Sequence, residues 1–175
     1  MADRILVATD GSDTGARAVA CAAELSDKLH LGLSILHVQL HGRPSAELTH
    51  LAETEHLLDR LARQRPMTDR PAASSLGALY AATRDEVERA WVIEAIGREI
   101  LARACTQADL AGARDIRSRS AAGDYADEIL DMAEADDAKM IVLGRRGLGR
   151  VREMLLGSVT QKVLHATDRT VVVVR

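Results

Sequence analysis

Four short, largely apolar runs constrain this chain more than any other feature. They are Ile5-Leu6-Val7-Ala8, Leu33 to Val38, Met140-Ile141-Val142-Leu143 and Val171 to Val174. Continuous apolar character over so few residues reads as strands buried on both faces, as in a parallel sheet. Ile116 to Ser120 is a fifth, weaker and more charged strand. Helical patterns separate the strands. Residues 14–30 carry Ala16, Ala20, Ala23, Leu25 and Leu29 at helical spacing, with Ser12 or Asp13 as cap. Residues 79–108 form a long helix with Ala90, Ile93, Ile96, Ile100 and Ala104 on one face, weakened by Gly97. Asp124 caps a helix carrying Ile129, Leu130 and Ala133, and residues 158–166 form a last one.

Strand and helix alternate, so the expected class is α/β. The architecture is an open, mostly parallel five-stranded Rossmann-like sheet with helices on both faces. In such sheets ligands bind beyond the carboxyl ends of the strands, where the strand order reverses. The turn holding Asp10 and the loop holding Gly144 to Gly149 can meet there. A single domain spans residues 1–175, with an extended insert at about 42–77. Within it, residues 45–65 read as a charged amphipathic helix and 66–77 as a linker.

The stretch from Gly144 to Ser158 carries the chemistry. It follows a buried strand, holds Gly144, Gly147, Gly149 and Gly157, and leads into a helix. Glycine lets backbone N–H groups approach an anion, and a helix N-terminus adds unsatisfied donors and a positive dipole end. Arg145, Arg146, Arg150 and Arg152 concentrate positive charge there, although the chain has a net charge of -3.

Other chemistries find less support. Aromatic residues are 2% of the chain and Phe is absent, which leaves few rings for stacking single-stranded nucleic acid. The acidic balance gives no basic footprint, so no nucleic-acid partner is expected. No run approaches the length of a membrane span and the amino terminus shows no signal-peptide pattern, so the protein reads as cytoplasmic, without membrane insertion. There is no G-x-x-x-x-G-K-[ST], no G-x-G-x-x-G after the first strand and no G-x-S-x-G. No nucleophile with an evident base is found, so no catalytic residue is assigned. His37 and His41 at a strand end do not share a face, so no metal site is assigned. Cys21 and Cys105 read as buried or half-buried thiols. Asp131, Glu134, Asp136 and Asp137 read as a solvated acidic face.

Four segments together give a resemblance. Ile5 to Ser12, Ile35-Leu36-His37-Val38, Gly123 to Ile129, and the pattern Gly144-x-x-Gly147, nine residues, Gly157-Ser158 resemble the universal stress protein family of the nucleotide-binding type. The match covers residues 3–38 and 114–175 and says nothing about the insert. It implies that Asp10 contacts a ribose and that the backbone at Val38 meets adenine. It implies phosphate contacts at Gly144, Gly147, Gly157 and Ser158, with Val159 and Thr160 joining through backbone or hydroxyl groups. Arg145 and Arg146 fill the two variable positions of the signature. They can neutralise phosphate charge, or fold back onto Asp or Glu and occlude the site. Asp10 can instead merely shape its turn.

The implied function is an ATP-binding stress-response or regulatory protein, with ATP bound together with Mg2+, serving as a nucleotide-dependent sensor or partner-binding module. The resemblance also implies a homodimer through the last strand, and the reading leaves a regulatory protein partner unknown. The alternatives are a slow ATP-hydrolysing enzyme using the same pocket, at most a weak ATPase, or a dimeric interaction protein that has lost nucleotide binding.

Overall fold

The apolar runs form the central strands of one sheet. The structure is a computed structural model that describes residues 3–39, 86–145 and 156–175. The strands are β1 (Arg4–Ala8), β2 (Gly32–Gln39), β3 (Arg114–Ala122), β4 (Ala138–Gly144) and β5 (Thr170–Val174). Their order is β3-β2-β1-β4-β5, and every neighbouring pair is parallel. The described helices are α1 (Asp13–Leu29), α2 (Glu86–Leu110), α3 (Tyr125–Ala135) and α4 (Ser158–Ala166).

The two faces of the sheet follow from strand alternation. Ile5, Val7, Leu33, Ile35 and Val142 point to one side and pack against α1 and α2. Leu6, Leu36, Val38, Ile141 and Leu143 point to the other side and pack against α3 and α4. With no Phe available, the helices bring small side chains to the sheet. Ala18, Ala22, Ala23, Ala104 and Ala108 are all buried.

Local signals set the helix starts. Ser12 is the N-cap of α1, and its Oγ accepts from the Gly15 N–H at 3.0 Å. Asp124 caps α3 by accepting from the backbone N–H groups of Ala126 and Asp127. The end of α1 is His30 in the left-handed region, with φ 58°. On the exposed side of α2, Glu94 pairs with Arg98 and Glu99 with Arg103, each four residues apart.

Three expectations change. β3 runs over Arg114–Ala122, longer than Ile116 to Ser120, and its residues are mostly exposed. It is charged because it is an edge strand, where one side meets solvent. α2 extends to Leu110; the expected start at 79, the 45–65 helix and the 66–77 linker lie outside the described residues. The acidic run at the end of α3, Asp131, Glu134, Asp136 and Asp137, is not wholly solvated. Asp136 accepts a hydrogen bond from Ser34 Oγ, and its Oδ2 lies 4.0 Å from Arg4 Nε.

Arg4 itself is buried, with 2% of its side chain exposed. Its Nε donates to Ser34 Oγ at 2.8 Å and Nη2 to the Leu33 carbonyl at 2.7 Å, while Nη1 pairs with the Asp115 carboxylate. This cluster closes the sheet at the end away from the carboxyl termini of the strands. Both cysteines are free and half-buried; burial, helped by Glu24, pushes the Cys21 thiol pKa up.

Candidate functional site

The reversal of strand order fixes where a ligand can enter. From β1 the chain moves to β2 and β3 on one side, then returns to β4 and β5 on the other. The switch therefore lies between the carboxyl ends of β1 and β4, where Ala8 pairs with Leu143. Asp10 stands just beyond the first end and Gly144 closes the second.

The Asp10 turn is tightly built. Asp10 Oδ1 accepts from the Ser12 N–H at 3.0 Å and from Ser12 Oγ at 2.6 Å. Gly11 adopts φ +82°, which a residue with a Cβ rarely takes. Its N–H donates to Thr9 Oγ1 at 3.2 Å. The first turn of α1 presses directly on this structure. A Cβ at Gly15 would stand 2.7 Å from Thr9 Oγ1 and 2.9 Å from Asp10 Oδ1. Asp10 thus does shape its turn, and the turn holds the carboxylate at the switch point.

β2 outruns β1. The ladder between them pairs Ala8 with Leu36, and the Thr9 N–H still donates to the Leu36 carbonyl at 2.9 Å. Successive residues of a strand direct their main-chain groups to opposite sides, so Val38 N–H and C=O face the side where β1 has ended. The neighbouring Gln39 carbonyl faces β3 and accepts from the Gly123 N–H at 3.2 Å. Val38 therefore offers a donor and an acceptor side by side beyond the end of β1.

The ends of the glycine segment are brought together. The Arg145 N–H donates to the Val174 carbonyl at 2.6 Å, and the Gly157 N–H donates to the Arg145 carbonyl at 2.9 Å. Both main-chain groups of Arg145 are engaged, which leaves it only a side chain for a ligand. Thr160 Oγ1 donates to the Gly144 carbonyl at 3.1 Å. Its hydroxyl proton is already in use, so Thr160 can give a phosphate its N–H but not its O–H. Arg146, Gly147 and Gly149 lie outside the described residues.

The start of α4 is the part of this arrangement whose chemistry suits an anion. Gly157 is its N-cap and makes no side-chain cap hydrogen bond. The N–H groups of Ser158, Val159 and Thr160 occupy the first turn, where a helix has no internal acceptors. At α3, by contrast, Asp124 fills that role and also pairs with Lys162 at 3.2 Å. Among the described residues, no group of three or more His, Cys, Asp or Glu side chains is placed to hold a metal ion. No described helix is long and apolar enough to cross a membrane.

Reading the sequence alone missed Thr9, Gly15 and the second role of Ser12. Each acts through a contact with a turn neighbour, and a glycine inside a helix start was the only available sign of such crowding.

A five-stranded parallel sheet with a turn aspartate and a glycine-bounded helix start at its switch point defines an open α/β class of fold. The profile of the Universal stress protein family matches residues 1–175, and the chain belongs to that family. It is 32% identical over 180 aligned positions to the universal stress protein YxiE of Bacillus subtilis, covering 100% of both chains. Solved structures share the fold. A universal stress protein in complex with cAMP superimposes with a TM-score of 0.60 at 24% identity, over 99% of this chain and 97% of that one. The universal stress protein of Archaeoglobus fulgidus in complex with dAMP gives 0.58 at 19% identity, over 99% and 98%.

Proposed function

We propose that this protein binds an adenine nucleotide at the switch point and works as a nucleotide-dependent regulatory module, with ATP as the physiological ligand. The observation that carries this reading is the join at Arg145 and Gly157, which sets the uncapped start of α4 beside the end of β4. Asp10 stands across from it at the end of β1, and Val38 lies on the far side of that end. A nucleotide has three parts, and each finds a matching chemistry. Adenine presents one donor and one acceptor on its pairing edge, which suits the Val38 C=O and N–H. A ribose diol donates to a carboxylate, which suits Asp10. Phosphates take the N–H groups of Ser158, Val159 and Thr160 and the dipole of α4, beside Gly144, whose own N–H faces β1 in the ladder. Gly147, Gly149 and the Arg145 and Arg146 side chains complete the phosphate side. The two arginines neutralise charge by bidentate contacts.

Mg2+ enters with the nucleotide, held by its phosphate oxygens. Binding rather than turnover is the activity proposed. The protein acts in the cytoplasm as a single domain. The insert at 42–77 is the element that meets a protein partner. β5 is an edge strand whose valines are half-buried, and it is the surface through which two copies pair.

The test is to denature freshly purified protein and separate any released nucleotide by chromatography. Adenine nucleotide in the supernatant supports the reading. Protein that carries none, and that fails to take up ATP at millimolar concentration, contradicts it.

A further inference from the structure

His37 is the buried histidine of the described residues, with 3% exposed. It sits on β2 on the same face as Leu33 and Ile35, a place where an aliphatic side chain would pack without the cost of burying ring nitrogens. Its Nδ1 lies 2.9 Å from the Thr9 carbonyl oxygen. A carbonyl only accepts, so Nδ1 carries the proton and the tautomer is set. The other edge of the ring runs along α2 at Gly97, where a Cβ would come within 3.1 Å of His37 Cδ2. Gly97 thus has a packing reason inside an otherwise regular helix. The ring is held on one edge by a helix and on the other by a peptide bond.

That peptide bond joins Thr9 to Asp10. Thr9 is also held through its N–H, by Leu36, and its Oγ1 accepts from Gly11. The His37 contact adds a restraint on the Thr9 carbonyl, and so on the plane from which the Asp10 side chain departs.

We propose that His37 is a positioning residue of the nucleotide site, aiming the Asp10 carboxylate by holding the Thr9 carbonyl. This rests on the reading of Asp10 as the ribose contact. His37 touches no nucleotide atom itself. Its effect on binding passes through Asp10, whereas a histidine that only fills the core would act on stability alone.

The test titrates ATP calorimetrically into the full chain, with thermal melts alongside. The variants are His37→Leu, His37→Asn, His37→Gln, Asp10→Asn and the double variant Asp10→Asn with His37→Leu. Losing one orienting hydrogen bond is expected to weaken ATP binding about tenfold in His37→Leu. His37→Asn, whose amide reaches where Nδ1 stood, stays within about threefold of the parent. His37→Gln, whose amide sits one bond further out, behaves like His37→Leu. In the Asp10→Asn background, His37→Leu adds less than about twofold, because the two residues act as one unit. A folded His37→Leu that binds ATP as the parent does overturns the proposal. So does an equal loss in both backgrounds. If His37→Leu does not fold, the Asn and Gln variants decide, and equal affinities for those two overturn it. A parent protein that binds no ATP removes the nucleotide reading itself, which is a different result from any of these.

Discussion

Thr160 Oγ1 donates to the Gly144 carbonyl across 3.1 Å, which fastens the first turn of α4 to the last residue of β4. The two residues are sixteen apart in sequence, and this contact and the Gly157 to Arg145 bond bring the ends of the glycine segment together. Thr160 is 4% exposed, so water cannot readily take the place of the hydroxyl. Thr160→Val keeps the shape and removes the donor. The expected cost is about 1–2 kcal/mol, because the Gly144 carbonyl loses its partner. For a chain of this size each 1 kcal/mol lowers the melting temperature by about 2–4 °C. A thermal melt measures that loss, and an ATP titration of the same variant should show weaker binding.

Arg4 is a second residue that ties distant parts of the chain together. Arg4→Met matches its length but abandons Ser34, the Leu33 carbonyl and Asp136, which stand around the guanidinium. Asp115 is exposed enough for water to replace its partner, so the cost is that of the buried Leu33 carbonyl and Ser34 hydroxyl left without their donor, about 1–3 kcal/mol. Denaturant unfolding should therefore show a clearly lowered midpoint at constant slope. Because the cluster lies at the opposite end of the sheet from Asp10, ATP affinity of the folded variant should be unchanged.

Ser12 carries both the α1 cap and a hydrogen bond to Asp10. Ser12→Ala should cost about 1 kcal/mol through the cap alone. It should also weaken ATP binding, because Asp10 Oδ1 loses the Ser12 hydroxyl. Melting and titration of one sample separate the two effects.

Stability should fall with acid in two stages. Burial pushes the His37 pKa below its ordinary value, against the opposing pull of the Thr9 bond and the Asp10 charge. The folded protein then binds fewer protons at this ring than the unfolded chain does. Its contribution is complete above about pH 6.5 and is lost as pH falls through the lower folded value. The Asp115 carboxyl is held below the usual range, chiefly by its hydrogen bond from Arg4. Its contribution is complete above about pH 3.9 and is lost as pH falls through the folded value. Melting temperature against pH checks both. His37→Asn should flatten the upper stage and Asp115→Asn the lower.

The central strands were legible because a strand buried on both faces shows an unbroken apolar run, as in Ile5 to Ala8 and Met140 to Leu143. β3 was faint because an edge strand carries charges such as Arg117 and Arg119 on a surface that needs no apolar pattern. The turn at Asp10 to Ser12 and the step at Gly157 to Ser158 were visible as local chemistry. Contacts across long separations were not. Arg4 in a strand read as unremarkable until Asp115 and Asp136 closed on it, and the solvated reading of Asp136 failed for that reason. The partner of His37 is a carbonyl 28 residues away, which no spacing rule reveals. Gly97 looked like a helix weakness and is instead the gap that admits the Gln39 side chain and the edge of the His37 ring.

The most direct measurement is a calorimetric titration of nucleotide-free protein with ATP and Mg2+, run beside Asp10→Ala. The account predicts saturable binding by the parent and a loss of about tenfold or more in the variant, the scale of a missing charge-assisted hydrogen bond. Equal heats from both proteins, or none from the parent, would contradict it.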